Sequence, residues 1–226
     1  MDNKVTLGYW AIRGLSERIR MVLEFVGLEY NQKLFTASNR DEWFNETKPK
    51  LIEKNPAITL PYLLDGEEVI SESDAIIVYV CHKANRADLL GRNATEQTRV
   101  ATAMGVIRDL HGKYIGLVYG RDNANLSFEE AKAATLPVFQ PYLTKLNQML
   151  EGRDFIAGEI TWVDFVLAEF MQCLWILQKD FLEGFANIWA HQKRVWELPA
   201  IKAYHETDRF KEVPLNNAPP ARWSGV

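Results

Sequence analysis

The chain has 226 residues, enough for one large or two small domains, and its 47% hydrophobic and 25% charged content is that of a globular chain, not a disordered one. A formal net charge of −4 argues against nucleic acid or an acidic membrane surface as the main partner. Cys81 and Cys173 lie in separate, helix-like apolar stretches, the start Met1-Asp2-Asn3-Lys4 has no apolar leader core, and no run reaches the ~18 apolar residues of a membrane span, so a soluble, cytoplasmic chain without a disulfide framework is expected.

Residues 4–10 alternate weakly and are rich in strand formers, which predicts a first strand. Residues 11–15 form a connection. Ser16-Glu17-Arg18 then opens a helix with Ile19, Val22, Leu23 and Val26 on its apolar face, and Gly27 stops it. Residues 30–35 read as a second strand, so a β-α-β start with a parallel pair is expected. Asn39-Arg40-Asp41-Glu42-Trp43 leads into a short helix to about Lys48, and Pro49 and Pro56 bracket a loop.

The stretch that follows is the most informative. Tyr62 to Leu64 and Val69-Ile70 are short apolar runs with Asp65-Gly66 between them, a turn dipeptide, so a β-hairpin is predicted. Pro61 restricts Leu60 to extended geometry, and Leu60-Pro61 is a candidate cis bond. Glu72-Ser73-Asp74 then opens a helix to about Lys83, with Ser73 at the expected cap. A helix start offers unpaired N–H groups and the positive end of a dipole, which suits a carboxylate. Most capped helices nevertheless bind nothing.

Residues 84–95 are polar, small and turn-prone, as in a linker. Beyond them strand signals vanish. Residues 96–119 carry Val100, Ala103, Met104, Ile107 and Leu110 on one helical stripe. Ser127-Phe128-Glu129-Glu130 matches a capping box, and Pro137 and Pro141 are expected to kink or break the helix it opens before it resumes through Leu150. Thr161-Trp162-Val163-Asp164 opens a helix that is apolar most of the way round, the expected core of the second half. Further helix is predicted to end near Leu198-Pro199, and a last short helix over about 200–207 precedes a Pro-rich tail.

The order of these parts is specific: an α/β first half, a linker near residue 85 and an all-helical second half. With Leu7-Gly8-Tyr9-Trp10, Ile12-Arg13-Gly14-Leu15, Leu60-Pro61-Tyr62-Leu63, the Glu72-Ser73 helix start, and Phe155-Ile156-Ala157-Gly158 before Thr161-Trp162-Val163-Asp164-Phe165, the chain resembles a cytosolic glutathione S-transferase over nearly its whole length, most closely the mu class. The resemblance implies a thioredoxin-like domain over 1–84 that holds glutathione, a linker over 85–95, and an all-helical domain over 96–226. A small hydrophobic electrophile would lie between the two domains.

The site residues follow from the same resemblance. Tyr9 matches the catalytic tyrosine whose hydroxyl donates to the glutathione sulfur. Glu72 and Ser73 match the holders of the γ-glutamyl end; Thr59, Leu60 and Pro61 match the stretch that meets the cysteinyl part through its backbone. Trp10, Arg40, Trp43 and Lys48 match the ring around the glycyl carboxylate, and Asp109 an acid that reaches the partner subunit's glutathione. Leu15, His111, Ile115 and Tyr119 match the electrophile pocket. Thr161 and Asp164 match a folding cap. Glutathione is then a co-substrate, no metal is implied, and a homodimer engaged in detoxification is expected, with neither nucleic acid nor membrane as partner.

The departures carry weight too. Glu72 stands where the mu pattern has Gln, and the mu spacing from the tryptophan lands on Thr47, not Lys48. The loop at residues 35–40 is shorter than in the mu class, which implies a more open pocket. Ala57-Ile58-Thr59 stands where the mu class has an aromatic plug into the partner subunit, which implies a weaker or differently built dimer contact. A non-catalytic ligand-binding relative and a glutathione-dependent isomerase or peroxidase stay open as alternatives to the transferase.

Overall fold

The computed structural model describes residues 4–225; the first three residues, on which the expectation of no leader partly rests, lie outside them. The chain divides into two units. One comprises the chain up to Ala87 together with Pro199–Pro214, the other Asp88–Leu198 together with the tail from Leu215. An unbroken helical region over 96–226 takes no account of this return of residues 199–214 to the first unit.

The first unit is built on a four-stranded mixed sheet in the order β2-β1-β3-β4. Strand β1 (Val5–Trp10) lies parallel to β2 (Tyr30–Phe35), with Val5 opposite Tyr30 and Trp10 opposite Phe35. Helix α1 (Glu17–Val26) is the crossover, and it buries Ile19, Met21, Val22 and Leu23. Gly27 ends it in the left-handed conformation, φ 70°. Strand β3 (Tyr62–Asp65) runs antiparallel to β1 on its other edge and turns into β4 (Glu68–Ser71). Gly8 sits opposite Tyr62, and a Cβ on it would stand 2.1 Å from the Tyr62 ring, so only glycine fits there.

Between β2 and β3 the chain forms α2 (Arg40–Glu42), a π-turn over Trp43–Thr47 and α3 (Lys48–Ile52). Pro49 does not begin a loop as expected. It falls in the first turn of α3, where its missing N–H is unneeded. Helix α4 (Ser73–Lys83) follows β4 and packs on α1. The return segment adds α9 (Pro199–His205) and α10 (Asp208–Lys211), with α9 against α1.

The second unit contains α5 (Ala94–Val118), α6 (Phe128–Met149), α7 (Trp162–Leu177) and α8 (Ala186–Trp196). Asn93 caps α5, two residues earlier than the sequence suggests, by accepting from the Glu96 N–H at 3.0 Å. Helix α6 is continuous through Pro137 and Pro141, so of the expected kink or break the break does not occur. The two prolines are four residues apart and both exposed, so the carbonyls they leave unpaired face water, while Thr135, Phe139, Leu143 and Leu146 hold the buried stripe.

Helix α7 is the core of this unit, with every residue from 161 to 171 buried. Its capping box is extended. The buried Asp164 accepts from the Thr161 N–H at 2.7 Å, the Thr161 hydroxyl at 2.8 Å and the Ile156 N–H at 2.9 Å, and His191 Nε2 on α8 lies 2.9 Å from it. That junction ties α8 and the 156–161 loop to the start of α7.

Candidate active site

Tyr9 is the next-to-last residue of β1, and its ring is almost wholly buried. The chain turns at residues 11–15 and folds back over it. Gly14 takes a φ of +40° and packs against the phenol, which brings the Leu15 N–H to the Tyr9 oxygen at 3.2 Å. An oxygen that accepts such a bond is a better donor through its own proton. The arrangement presents a phenol O–H as a fixed hydrogen-bond donor.

The Leu60–Pro61 peptide is cis. The segment before it is pinned to β4: the Thr59 N–H donates to the Ser71 hydroxyl at 3.0 Å. Two residues after that hydroxyl comes the start of α4. The cap position belongs to Glu72, not Ser73, and Glu72 makes no side-chain cap bond. Its backbone has φ 69° and ψ 123°, a conformation that costs a non-glycine residue about 1–3 kcal/mol and is concentrated at functional sites. Ser73 is the first helical residue, and its hydroxyl lies 3.3 Å from the Asp74 carboxylate. Arg18 stands 3.9 Å from the same carboxylate and offsets its charge at the helix start.

Trp10 and Arg40 meet at Phe44. The Trp10 and Phe44 ring centres are 6.3 Å apart, and the Arg40 guanidinium lies 5.0 Å from the Phe44 ring. Phe44 is well exposed, and nothing in its spacing singled it out. Trp43 points the other way. It is 3% exposed and belongs to a core cluster with Phe35, Ile58 and Tyr62, stacked on Tyr62 at 5.6 Å. Lys48, half-buried, starts α3 just past the π-turn.

On the second unit, His111, Ile115 and Tyr119 follow one another at intervals of four along α5 and its C-terminal cap, all half-buried, so they form one stripe. His111 meets the edge of Phe170 at 5.2 Å. Burial raises the Tyr119 phenol, and a backbone hydrogen bond from Asn217 in the tail works against that rise. The neighbouring Asn216 amide donates to the buried Tyr114 hydroxyl at 2.9 Å. Sequence reasoning passed over both asparagines, because a Pro-rich tail carries no periodic signal. Asp109 is exposed on a different face of α5, in a surface cavity of about 470 Å³ with Arg108, Lys113, Arg121, Asp122 and Tyr142. Among the described residues, no three His, Cys, Asp or Glu side chains cluster as metal ligands, and no helix is long and apolar enough to cross a membrane.

Known proteins resemble the chain along nearly its whole length. A family model for the glutathione S-transferase N-terminal domain matches residues 5–82, and one for the C-terminal domain matches residues 108–208. Glutathione S-transferase class-mu 26 kDa isozyme 51 of Fasciola hepatica is 32% identical over 212 residues, 93% of this chain and 92% of that protein. Glutathione S-transferase Mu 3 of Homo sapiens is 32% identical over 228 residues, 98% of this chain and 96% of that protein. The solved structure of the glutathione S-transferase Blo t 8 aligns with a TM-score of 0.81 at 27% identity, covering 97% of this chain and 99% of that one.

Proposed function

This chain belongs to the glutathione S-transferase family and is a glutathione-conjugating transferase, and from that premise we propose that Tyr9 activates the glutathione thiol for attack on small hydrophobic electrophiles. The observation that carries the proposal is the Leu15 N–H on the Tyr9 oxygen, which fixes the phenol as a donor.

The chemistry sets the need. A free thiol is only a few per cent ionised at pH 7, and the thiolate is the nucleophile. One hydrogen bond to a charged sulfur stabilises it by roughly 1.5–3 kcal/mol. At about 1.4 kcal/mol per pKa unit, that lowers the thiol by roughly one to two units. The thiol proton leaves to solvent, and the Tyr9 proton stays on its oxygen and points at the sulfur. The thiolate then forms a carbon–sulfur bond while the electrophile's leaving group departs with its bonding pair.

Glutathione is held along the rest of the first unit. Its γ-glutamyl carboxylate meets the N–H groups at the start of α4 and the Ser73 hydroxyl, and its ammonium meets Glu72. The backbone of Thr59, Leu60 and cis Pro61 faces the cysteinyl part. Arg40 and Lys48 supply positive charge for the glycyl carboxylate, with Trp10 beside them and Trp43 contributing at most its indole N–H. Leu15 offers apolar surface beside the Tyr9 oxygen.

On the second unit, the electrophile is assigned to the α5 stripe. Ile115 supplies apolar surface, and Tyr119 and His111 supply donors for a developing negative charge. Asp109 is assigned to a partner subunit's glutathione in a homodimer. The exposed Ala57 leaves that dimer without an aromatic plug. A cytoplasmic, detoxifying role fits the composition and the family.

The test is conjugation of chlorodinitrobenzene by the unchanged protein and by Tyr9→Phe. A fall in turnover of about 10- to 100-fold, with glutathione affinity little changed, supports the role of Tyr9. Equal turnover removes it.

A further inference from the structure

The loop that brings Leu15 to Tyr9 is held from the far end of the chain. Most of its bonds are local. The Ala11 N–H donates to the Phe35 carbonyl at 2.7 Å, and the Arg13 carbonyl accepts from the Glu17 N–H at 2.9 Å. The buried Arg20 guanidinium donates to the Ile12 carbonyl at 3.1 Å and is itself fixed by Glu17 and Gln32. One bond is different in kind. The Arg13 N–H donates to the Pro214 carbonyl at 2.8 Å.

The Arg13 side chain makes a second contact with the same return segment. Its guanidinium stands 4.3 Å from the centre of the Phe210 ring. Phe210 is backed by His205 at 4.0 Å and Tyr204 at 5.6 Å. At its other end the segment is tied to the last turn of α1, where Arg209 donates to Glu24 at 2.6 Å and lies over the Tyr30 ring. The return segment therefore grips α1 from both sides: just before its start, at Arg13, and near its end, at Glu24.

We propose that the return segment Pro199–Pro214 is a positioning element for the thiol-activating hydroxyl, with Arg13 and Phe210 as the pair through which it acts. The proposal rests on the reading of Tyr9 as donor to the sulfur. Arg13 is two residues from the N–H that Tyr9 accepts, and Gly14 between them lies directly on the phenol. At 3.2 Å that bond is at the long end of the useful range, so a shift of the loop by a few tenths of an ångström weakens it. The groups assigned to the γ-glutamyl end sit on a different element, at the start of α4. Loosening the pair therefore lowers thiolate formation and leaves glutathione affinity largely intact.

The experiment titrates the thiol of bound glutathione by its ultraviolet thiolate absorbance in five proteins: unchanged, Tyr9→Phe, Phe210→Ala, Arg13→Gln and Arg13→Lys. Glutathione dissociation constants and thermal midpoints are measured in parallel. Phe210→Ala and Arg13→Gln are expected to raise the thiol pKa in the direction of Tyr9→Phe and to lower turnover about threefold or more below that pKa, with the dissociation constant changed less than about twofold. Arg13→Lys keeps a cation over the ring and is expected to restore most of the loss. Should Phe210→Ala fail to fold, Arg13→Gln against Arg13→Lys decides. If Tyr9→Phe loses the thiolate while Arg13→Gln and Phe210→Ala keep it, the positioning role is overturned and the Tyr9 reading stands. If Tyr9→Phe itself leaves the titration unchanged, both fall.

Discussion

A Cβ placed on Gly14 would stand 2.8 Å from the phenol oxygen of Tyr9. Gly27 offers the matching control, because its φ is also positive but its Cβ would meet nothing within 4 Å. Both Gly→Ala changes carry a backbone penalty of roughly 1–2 kcal/mol. Only Gly14→Ala also pushes on the Tyr9 hydroxyl, the group proposed to activate the thiol. Gly14→Ala is expected to lower turnover at least about tenfold, as a small misplacement of a catalytic group does. Gly27→Ala is expected to lower the melting temperature with turnover per folded molecule unchanged. Equal turnover in the two variants contradicts the placement of Gly14 on Tyr9.

Glu72 separates binding from stability. Its positive φ suits glycine and strains a glutamate, so Glu72→Gly relieves strain of about 1–3 kcal/mol against about 0.5–1 kcal/mol of added chain entropy. Glu72→Gly is expected to melt at the same temperature or higher and to raise KM for glutathione about tenfold through the lost ammonium partner. Thermal melts and initial rates over a glutathione series check both halves. A lower melting temperature with KM unchanged contradicts the assignment.

His205 makes part of the acid sensitivity. Burial first, and then the Arg13 charge, hold its imidazole down at about 4, against 6.5 for an unperturbed side chain. The folded chain therefore takes up this proton later than the unfolded one as pH falls. The contribution is complete above pH 6.5 and is lost between 6.5 and about 4. At 1.36 kcal/mol per unit the full shift is roughly 3 kcal/mol, and solvent screening of a partly exposed ring reduces it to about 1–2 kcal/mol. Urea unfolding at neutral and at acidic pH is expected to show His205→Gln losing less stability than the unchanged protein. Identical losses contradict it.

Much of the fold was legible because local chemistry and tertiary demand agree. The parallel β1–β2 pair, the Asp65-Gly66 hairpin, the stop at Gly27, the Ser127 capping box and the apolar α7 all follow from periodicity and turn residues. What stayed hidden depends on neighbours distant in sequence. No local pattern announces that Trp43 stacks on Tyr62 in the core. Pro137 and Pro141 read as positions where the helix kinks or breaks, and only their exposure explains why it is not broken there. Ser73 reads as the cap because no residue pattern announces a glutamate at positive φ. The grip of Phe210 and Pro214 on Arg13, and that of Asn217 on Tyr119, join segments whose separation no motif encodes.

The most direct measurement is the midpoint of the thiol titration of glutathione bound to the unchanged protein and to Tyr9→Phe, set beside glutathione in plain buffer. The expected result is a midpoint roughly one to two units below the ordinary thiol value of about 8.5 in the unchanged protein, returning close to that value in Tyr9→Phe. The same midpoint in both proteins, or a bound thiol that titrates as it does in buffer, would contradict a hydroxyl at Tyr9 that keeps the sulfur ionised.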